Sequence, residues 1–289
     1  MSARVLVGYD GSESARLALE WAIAEAKSRR AALRVLVAWT LPPLELTAAD
    51  QSFGDPGAVE NEQDYGAELL QEALRLAEEA QVTASGVVVG DSPAHALVDA
   101  SREADLLVVG SRGHGTFTAL LLGSTSRQVA THAKCTTVIV RKKANPDADA
   151  VVVGVDGSEP SLAALKYAVA EADRRGAPLR VLHTWDVPPI GAITGVPTFS
   201  PPEFLRDLKN TEARLIAESV AGLSSRYPDV AIHEELRQSG PVQALTEESE
   251  NAALVVVGSR GRGGFLGLLL GSVSHGIAHH AKCPVTIVR

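Results

Sequence analysis

Two stretches of this 289-residue chain combine glycine, serine and arginine at the same spacing. The first, GSRGHGTFTALLLGST, covers residues 110–125, and the second, GSRGRGGFLGLLLGSV, covers residues 258–273. In each stretch a glycine is followed after two residues by a second glycine, and after nine more by a Gly-Ser pair. Glycine tolerates positive φ and leaves the backbone uncovered, so such a loop can turn several N–H groups toward one anion. We therefore predict a phosphate-binding loop in each half of the chain.

The predicted loop has a helix beside it, because helices are expected to begin at Ser124 and at the equivalent Ser272. The free N–H groups of a first helical turn and the helix dipole both favour an anion. Arg112 and Arg260 either add positive charge or point to solvent. The patterns G-x-x-x-x-G-K-[ST] and, after the first predicted strand, G-x-G-x-x-G are absent, so these two phosphate-binding loops are not supported. The alternative is a glycine-rich turn that packs helix against sheet without a ligand.

An aspartate lies at the end of the first apolar run in each half. Asp10 and Asp156 occur in the segments VGYDGSES and VGVDGSEP. At the carboxyl end of a strand in an open parallel sheet, such a residue faces the ligand crevice. Aspartate is also common in turns and at helix entries, which is the alternative. We favour the crevice because both aspartates are expected beside a predicted phosphate-binding loop.

The chain consists of two similar halves. Residues 5–39 and 151–185 are identical at 20 of 35 positions, and residues 104–141 and 252–289 are identical at 24 of 38. A polar segment, KKANPDADA, joins the halves. The repeat is too long for a solenoid, so each half is interpreted as a whole domain. We predict domain 1 at residues 1–143, a linker at 144–150 and domain 2 at 151–289.

Each half alternates short apolar runs with helical patterns. In the first half the predicted strands are residues 4–9, 33–39, 85–90, 105–111 and 136–141, and the predicted helices are residues 14–30, 62–80, 92–104 and 124–133. Ser12 is the predicted N-cap of the first helix, whose apolar face is predicted to contain Leu17, Trp21 and Ala24. This alternation predicts the α/β class, with two tandem doubly wound (Rossmann-like) domains that each contain a five-stranded parallel sheet. Segment 40–61 is interpreted as either a lid or a variable surface loop.

Composition and charge argue against several function classes. A formal net charge of −8 disfavours broad binding to nucleic acid or to an anionic membrane, since both need an excess of basic residues. No apolar run approaches the ~20 residues that span a bilayer, and no signal-peptide pattern is present, so we expect a cytoplasmic protein. Cys135 and Cys283 are expected to be reduced, a disulfide between these equivalent sites being the alternative.

Both halves resemble nucleotide-binding members of the universal stress protein family, in its tandem-domain form. The resemblance rests on VGYDGSESA and VGVDGSEPS, and on the pattern G-x-x-G, nine residues, then G-[ST], which occurs twice. It covers essentially the whole chain outside the linker. It implies that each half binds ATP together with Mg²⁺.

The resemblance also implies contacts for individual residues in each half. Asp10 and Asp156 would contact the nucleoside or its metal, Gly8 and Gly154 would leave room beside it, and Ala38 and Thr184 would border the adenine. The implied ribose and phosphate contacts are Gly110, Ser111, Arg112, Gly113, His114 and Gly115 in the first half, and Gly258, Ser259, Arg260, Gly261, Arg262 and Gly263 in the second. The triphosphate site would be completed by Gly123, Ser124 and Thr125, and by Gly271, Ser272 and Val273. Since Val273 lacks the hydroxyl of Thr125, we expect both sites to bind, but not identically.

Together these features predict a stress-response or regulatory protein that binds ATP at two sites and hydrolyses it slowly at most. No base or water-positioning residue is evident near the γ-phosphate. The alternatives are an ATP-using enzyme of the same superfamily, with phosphoryl or adenylyl chemistry, and a nucleotide-free scaffold for protein partners. His275 and His279 have a spacing that suits zinc, but no third ligand is evident, so we predict no metal site made by protein side chains.

The last predicted strand of each half is a candidate sheet edge, and unpaired edges invite partner strands. The resemblance implies dimerisation at this edge. In a tandem chain the two halves are then expected to pair as an internal pseudo-dimer. A homodimer of the whole chain and unidentified regulatory protein partners are further hypotheses.

Overall fold

The described part of the chain forms two compact units. The computed structural model describes residues 4–40, 56–113, 122–186, 202–263 and 269–289. The units divide between Lys142 and Lys143, close to the predicted linker. Ala150, predicted as the last linker residue, is instead the first residue of a strand. The remaining predicted boundaries stay predictions.

Each unit alternates strands and helices, as predicted. The first contains β1 Arg4–Gly8, α1 Glu13–Arg29, β2 Ala32–Trp39, α2 Pro56–Glu79, β3 Ala84–Gly90, α3 Pro93–Ala100, β4 Leu106–Gly110, α4 Ser124–His132 and β5 Thr136–Val140. The second contains β6 Ala150–Gly154, α5 Glu159–Arg175, β7 Leu179–Trp185, α6 Pro202–Val220, α7 Leu223–Arg226, β8 Ile232–Gln238, α8 Pro241–Glu248, β9 Ala252–Gly258, α9 Ser272–His280 and β10 Val285–Val288. Among the described helices, none combines the length and apolarity needed to cross a membrane.

The strand order of each unit reverses beside its first strand. In the first unit the order is β3-β2-β1-β4-β5, with parallel pairing. In the second unit it is β8-β7-β6-β9-β10, also parallel. The predicted α/β class with doubly wound parallel sheets is therefore confirmed. In such sheets a crevice forms at the carboxyl ends of the two strands where the order reverses, here β1 and β4, and β6 and β9.

Helix α1 packs on the sheet of the first unit mainly through alanine. Its buried residues are Ala15, Ala18, Leu19, Ala22, Ile23, Glu25 and Ala26. The predicted apolar face was wrong at its centre, because Leu17 and Trp21 lie at the margin of this core and Ala24 is exposed. Small side chains occupy the contact line because they let the helix approach the closely packed strands, whereas an indole fits only at the edge.

Helix α2 begins earlier than the sequence indicates. We expected a helix over residues 62–80, and it runs from Pro56 to Glu79. Proline suits the first helical position, since its fixed φ is helical and its missing N–H would have no partner there. The end of the predicted lid or loop at 40–61 is thus helical, and residues 41–55 lie outside the described residues.

The C-terminal caps of α1 and α5 offer a test of backbone strain. Arg30 and Gly176 occupy equivalent cap positions, and both have left-handed backbones with φ of 51° and 61°. A side chain in this conformation costs about 1 kcal/mol relative to glycine. We predict that Arg30→Gly stabilises the first unit by about 1 kcal/mol and that Gly176→Arg destabilises the second by a similar amount.

Urea denaturation followed by circular dichroism measures both changes. A Cβ atom at Gly176 would have no heavy atom within 4 Å, so its substitution tests strain without a steric clash. Equal denaturation midpoints in the two variants and the parent chain would show that the caps are not strained.

Candidate functional site

The first unit has a cleft of about 690 Å³ at the carboxyl ends of β1 and β4. It therefore lies where the strand order reverses, as predicted for this class of sheet. Its walls come from the ends of β1, β2 and β4 and from the starts of α3 and α4. The lining residues are Gly8, Tyr9, Asp10, Ala15, Leu36, Ala38, Thr40, Pro93, Leu97, Val109, Gly110, Arg112, Gly113, Gly123, Ser124, Thr125 and Ser126.

The second unit has a cleft of about 530 Å³ at the equivalent place. Its lining residues are Gly154, Val155, Asp156, Ser161, Leu182, His183, Thr184, Trp185, Asp186, Ser239, Gly240, Pro241, Leu245, Val257, Gly258, Arg260, Gly261, Arg262, Gly263, Gly271, Ser272, Val273 and Ser274. Because each cleft is built within one unit, the chain carries the same concave feature in each of its halves.

The start of α1 is tied to the glycine loop of the first unit. The Ser14 hydroxyl donates to the carbonyl of Arg112 and accepts from the N–H of the same residue at 3.1 Å. Gly110 lies so near this turn that a Cβ atom there would be 2.6 Å from the backbone of Ser14. A Cβ atom at Gly113 would lie 2.5 Å from Oδ2 of Asp10. Glycine at these two positions lets the loop and the aspartate approach each other.

The second unit makes the same close approach. Pro160 stands where the first unit has Ser14, so the serine contact made at that position is absent there. The backbone N–H of Arg262 donates to Oδ2 of Asp156 at 2.9 Å. A Cβ atom at Gly261 would lie 2.3 Å from that same oxygen. Here the carboxylate itself holds the glycine loop.

Asp156 is held in its ionised form. Burial by itself would raise the pKa of Asp156, but hydrogen bonds to the carboxylate outweigh it and lower the pKa below the ordinary value of 3.8. These bonds come from the hydroxyl of Ser158 at 2.6 Å, its N–H at 3.0 Å and the N–H of Arg262. The side chain therefore remains a hydrogen-bond acceptor and a weak base at neutral pH.

The helix that begins at each cleft has no side-chain cap among the described residues. Gly123 and Gly271 are the N-caps of α4 and α9, and neither helix has a side-chain cap hydrogen bond. By contrast, α1 and α5 are capped by Ser12 and Ser158. The first-turn N–H groups of α4 and α9 thus face the cleft without a competing side-chain oxygen, which is the arrangement that favours an anion.

A buried serine fixes each of these helices to the loop. Ser126 Oγ donates to the carbonyl of Gly110 at 2.6 Å, and Ser274 Oγ donates to the carbonyl of Gly258 at 2.6 Å. In addition, the N–H of the cap glycine donates to a serine carbonyl at 2.8 Å in both units. Gly123 donates to Ser111, and Gly271 donates to Ser259. The first two residues of each loop, Gly110 and Ser111 or Gly258 and Ser259, are consequently hydrogen-bonded to the start of the last helix.

Most of the predicted contact residues line the clefts, with two differences. Ser111 and Ser259 are buried behind the loop, because their backbone groups join the last strand of the unit to the cap glycine. They contribute no cleft surface. His114 and Gly115 lie outside the described residues.

Sequence reasoning missed one whole wall of each cleft. Pro93 and Leu97 at the start of α3, and Pro241 and Leu245 in the second unit, line the clefts beside β1 and β6. A Cβ atom at Gly8 would lie 2.9 Å from Leu97, so the glycine that ends β1 is also needed for helix packing. The proline that begins each helix after the third strand was the available signal, but it indicates only a helix start.

The fold and the clefts define a class of protein: a tandem pair of doubly wound α/β domains, each with a glycine loop and an uncapped helix start at its switch point. The universal stress protein family model matches residues 1–141 and 148–289. The chain belongs to the universal stress protein family.

Similar proteins agree with this assignment. A universal stress protein of Mycolicibacterium smegmatis is 38% identical over 300 residues, covering 99% of this chain and 96% of that protein. A universal stress protein structure from Archaeoglobus fulgidus has a TM-score of 0.69 at 23% identity, covering 99% of this chain and 96% of that one, and shows the fold. A universal stress protein structure in complex with cAMP is 30% identical, with a TM-score of 0.38, covering 48% of this chain and 97% of that one.

The hydrogen bonds to Asp156 give a pH-dependent prediction. Since its pKa is lower in the folded chain than in the unfolded chain, ionised Asp156 stabilises the second unit above about pH 4, and this contribution is lost as the pH falls through the folded-state pKa. We predict that Ser158→Gly raises the pKa of Asp156, because it removes one of the strongest of these bonds. Glycine remains an acceptable N-cap, so the helix start is retained.

Carbon-detected NMR titration of the carboxyl group measures this change. Thr211→Ala is the control, since among the described residues that hydroxyl donates only to the carbonyl of Asp207 within α6. A pKa of Asp156 that is the same in parent and Ser158→Gly would contradict the assignment of its cause.

Proposed function

We propose that this chain is a regulatory ATP-binding protein, with one ATP site in the cleft of each unit and a divalent cation bound through the phosphates. The observation that carries the proposal is the pairing, in both clefts, of a glycine loop with an uncapped helix start. Together these two elements present backbone N–H groups to a polyphosphate from two sides.

Charge in the clefts supports a phosphate ligand. Arg112 lines the first cleft, and Arg260 and Arg262 line the second. These guanidinium groups complement the negative charge of a triphosphate. The chain as a whole carries a net charge of −8, so this basic character is local to the loops.

The remaining walls of the clefts suit an aromatic base. In the first unit Leu36, Ala38, Leu97 and Val109 form an apolar side, and Leu182, Leu245 and Val257 do so in the second. Ligand sites commonly combine such walls with a few convergent polar groups. The volumes of the clefts also fall within the range of small-molecule sites.

The state of the carboxylates favours binding over catalysis. Asp156 has a lowered pKa and accepts hydrogen bonds at both oxygens, so it is a poor general base for activating water. In the first cleft, Oδ1 of Asp10 accepts from the N–H of Ser12 at 3.0 Å. We therefore propose ATP hydrolysis that is slow at most, and a role in which the bound nucleotide controls contacts with partner proteins in the cytoplasm.

The direct test is to identify and count the bound ligand. Purified chain is denatured, and the released small molecules are separated and quantified against protein. We expect adenine nucleotide at up to two per chain, and isothermal titration of nucleotide-stripped protein with ATP and Mg²⁺ should give the same limit. No release and no binding at either cleft would overturn the proposal.

The two glycines that approach the aspartates allow each site to be weakened separately. We predict that Gly113→Ala weakens the first ATP site and Gly261→Ala the second, because each new Cβ atom displaces the Asp10 or Asp156 carboxylate. The clash is with a side chain, so the backbone fold should be retained. Each affected site should weaken at least tenfold, about 1.4 kcal/mol.

The stoichiometry of binding makes the outcome unambiguous. Each single variant should keep one ATP site of parent affinity, and the unchanged cleft of the other unit serves as its internal control. In the double variant both sites should be at least tenfold weaker, while the parent circular dichroism spectrum is retained. Two full-affinity sites in the double variant would show that ATP binds elsewhere.

A further inference from the structure

A buried histidine in the second unit joins the cleft to helix α6. His183 in β7 lines the cleft and is almost fully buried, with 5% of its side chain exposed. Its Nδ1 lies 2.7 Å from the carbonyl oxygen of Val155, and its Nε2 lies 2.7 Å from Oε2 of Glu212 in α6. Val155 immediately precedes Asp156, so the ring contacts the backbone that places this carboxylate.

The chemistry of the partners determines where protons must be. A backbone carbonyl only accepts, so Nδ1 carries a proton and donates it to Val155. A neutral imidazole of this tautomer has a lone pair on Nε2, which cannot bond to an ionised carboxylate. The 2.7 Å contact with Glu212 therefore requires one further proton between the two groups. His183 and Glu212 form this contact only while they share that proton.

In the first unit, α2 takes the place of α6, and a different set of groups contacts it. The hydroxyl of Tyr9 donates to Oε2 of Glu72 in α2 at 2.9 Å, and Arg16 pairs with Oε1 at 2.6 Å. Burial, together with the hydrogen bond to Glu72, raises the pKa of Tyr9 to about 12, and arginine stays ionised. This contact therefore keeps its protons throughout the neutral range.

The second unit lacks the tyrosine and the arginine that contact Glu72 in the first unit. Val155 stands in place of Tyr9, and Leu162 in place of Arg16, whereas His183 replaces Val37. A titratable group thus substitutes for two groups that do not titrate near neutral pH. Histidine is the side chain whose charge ordinarily changes between about pH 5 and 8.

Several charged residues lie around the pair. The Arg262 guanidinium is close to Leu215 of α6, because a Cβ atom at Gly157 would lie 2.7 Å from the first and 3.1 Å from the second. Glu234 in β8 follows the same face of the sheet as His183, since Val181 pairs with Glu234 and His183 with Leu236. Lys209 lies one turn before Glu212 in α6, Lys166 lies one turn after Leu162 in α5, and Asp156 follows Val155 in the chain. Among the described residues, no hydrogen bond or ion pair joins His183 or Glu212 to any of these charges.

We propose that His183 and Glu212 are positioning residues that hold α6 to the second cleft only while they share a proton. When the pH rises and this proton is lost, the Nε2 lone pair and the carboxylate face each other without a hydrogen bond. The hydrogen-bonded connection from Glu212 of α6 through His183 to the Val155 carbonyl, next to Asp156, is then broken. That the turn carrying Asp156 serves a nucleotide rests on the proposed function, whereas the proton-dependent contact itself does not.

Two variants distinguish the effect of the shared proton from the effect of the His183–Glu212 contact itself. Glu212→Gln replaces the carboxylate by an amide, whose NH₂ donates to neutral Nε2, so the contact should persist without the additional proton. His183→Val introduces the residue found at the equivalent position of the first unit and removes the contact at every pH. The Tyr9 contact to α2 is the reference within the same molecule.

The experiment follows hydrogen–deuterium exchange of α6 and of residues 155–158 at about pH 6 and about pH 9, which bracket an ordinary histidine titration. The exchange rates are corrected for the intrinsic rate at each pH and are compared with the exchange rates of α2. In the parent chain, protection should decrease about tenfold on raising the pH, the change expected from losing one charge-assisted hydrogen bond. In Glu212→Gln the protection of these segments should be the same at the two pH values. In His183→Val their protection should be low at both pH values.

Nitrogen-15 NMR of labelled histidine completes the test without any nucleotide. We expect a proton on Nδ1 of His183 at both pH values, and we expect any loss of α6 protection in the parent chain to accompany loss of the proton between Nε2 and Glu212. The proposal would be overturned by Nδ1 without a proton, by α6 protection that falls while the shared proton is retained, or by α6 protection that changes with pH only as α2 does. Because no ATP is present, failure of the ATP-binding proposal would leave this result unaffected.

Discussion

Each cleft depends on one buried hydrogen bond, from Ser126 or Ser274 to the carbonyl of the glycine that ends the fourth strand of the unit. This bond connects the sheet, the glycine loop and the first turn of the last helix. Ordering a glycine-rich segment costs conformational entropy, and this bond fixes the first residue of the loop against the helix start. A site whose parts are already held in place loses less entropy on binding, which is how preorganisation increases affinity.

One of the contacts that hold the glycine loops differs between the two clefts. The Ser14 hydroxyl contacts Arg112 in the first unit, whereas Pro160 stands in its place in the second unit, where the Asp156 carboxylate accepts from the N–H of Arg262. The glycines are shared because the close approach admits no Cβ atom, as the contacts of Gly110 with the first turn of α1 and of Gly258 with the first turn of α5 show. Side chains that hold the loop can differ because a hydroxyl and a carboxylate can each satisfy a backbone group.

The sequence was sufficient to predict the fold and the location of the glycine loops. The repeat and the periodicity indicated parallel strands, and Gly110 and Gly258 were correctly placed at strand ends. The buried face of α1 was misjudged because an alanine-rich helix has no narrow apolar stripe, and close packing then selects the smallest residues. Nothing in the pattern LRVLHTW pointed to Glu212, because a contact between residues 29 positions apart in the chain has no fixed spacing.

Tryptophan is distributed unevenly between the two units. Of the three indoles in the chain, Trp185 lines the cleft of the second unit, whereas Trp39 packs beside Gly90 and Trp21 lies at the margin of a core. An indole that lines only the second of these two clefts gives that cleft its own optical signal. Quenching or a shift of the Trp185 emission would therefore report on the second cleft without an added dye.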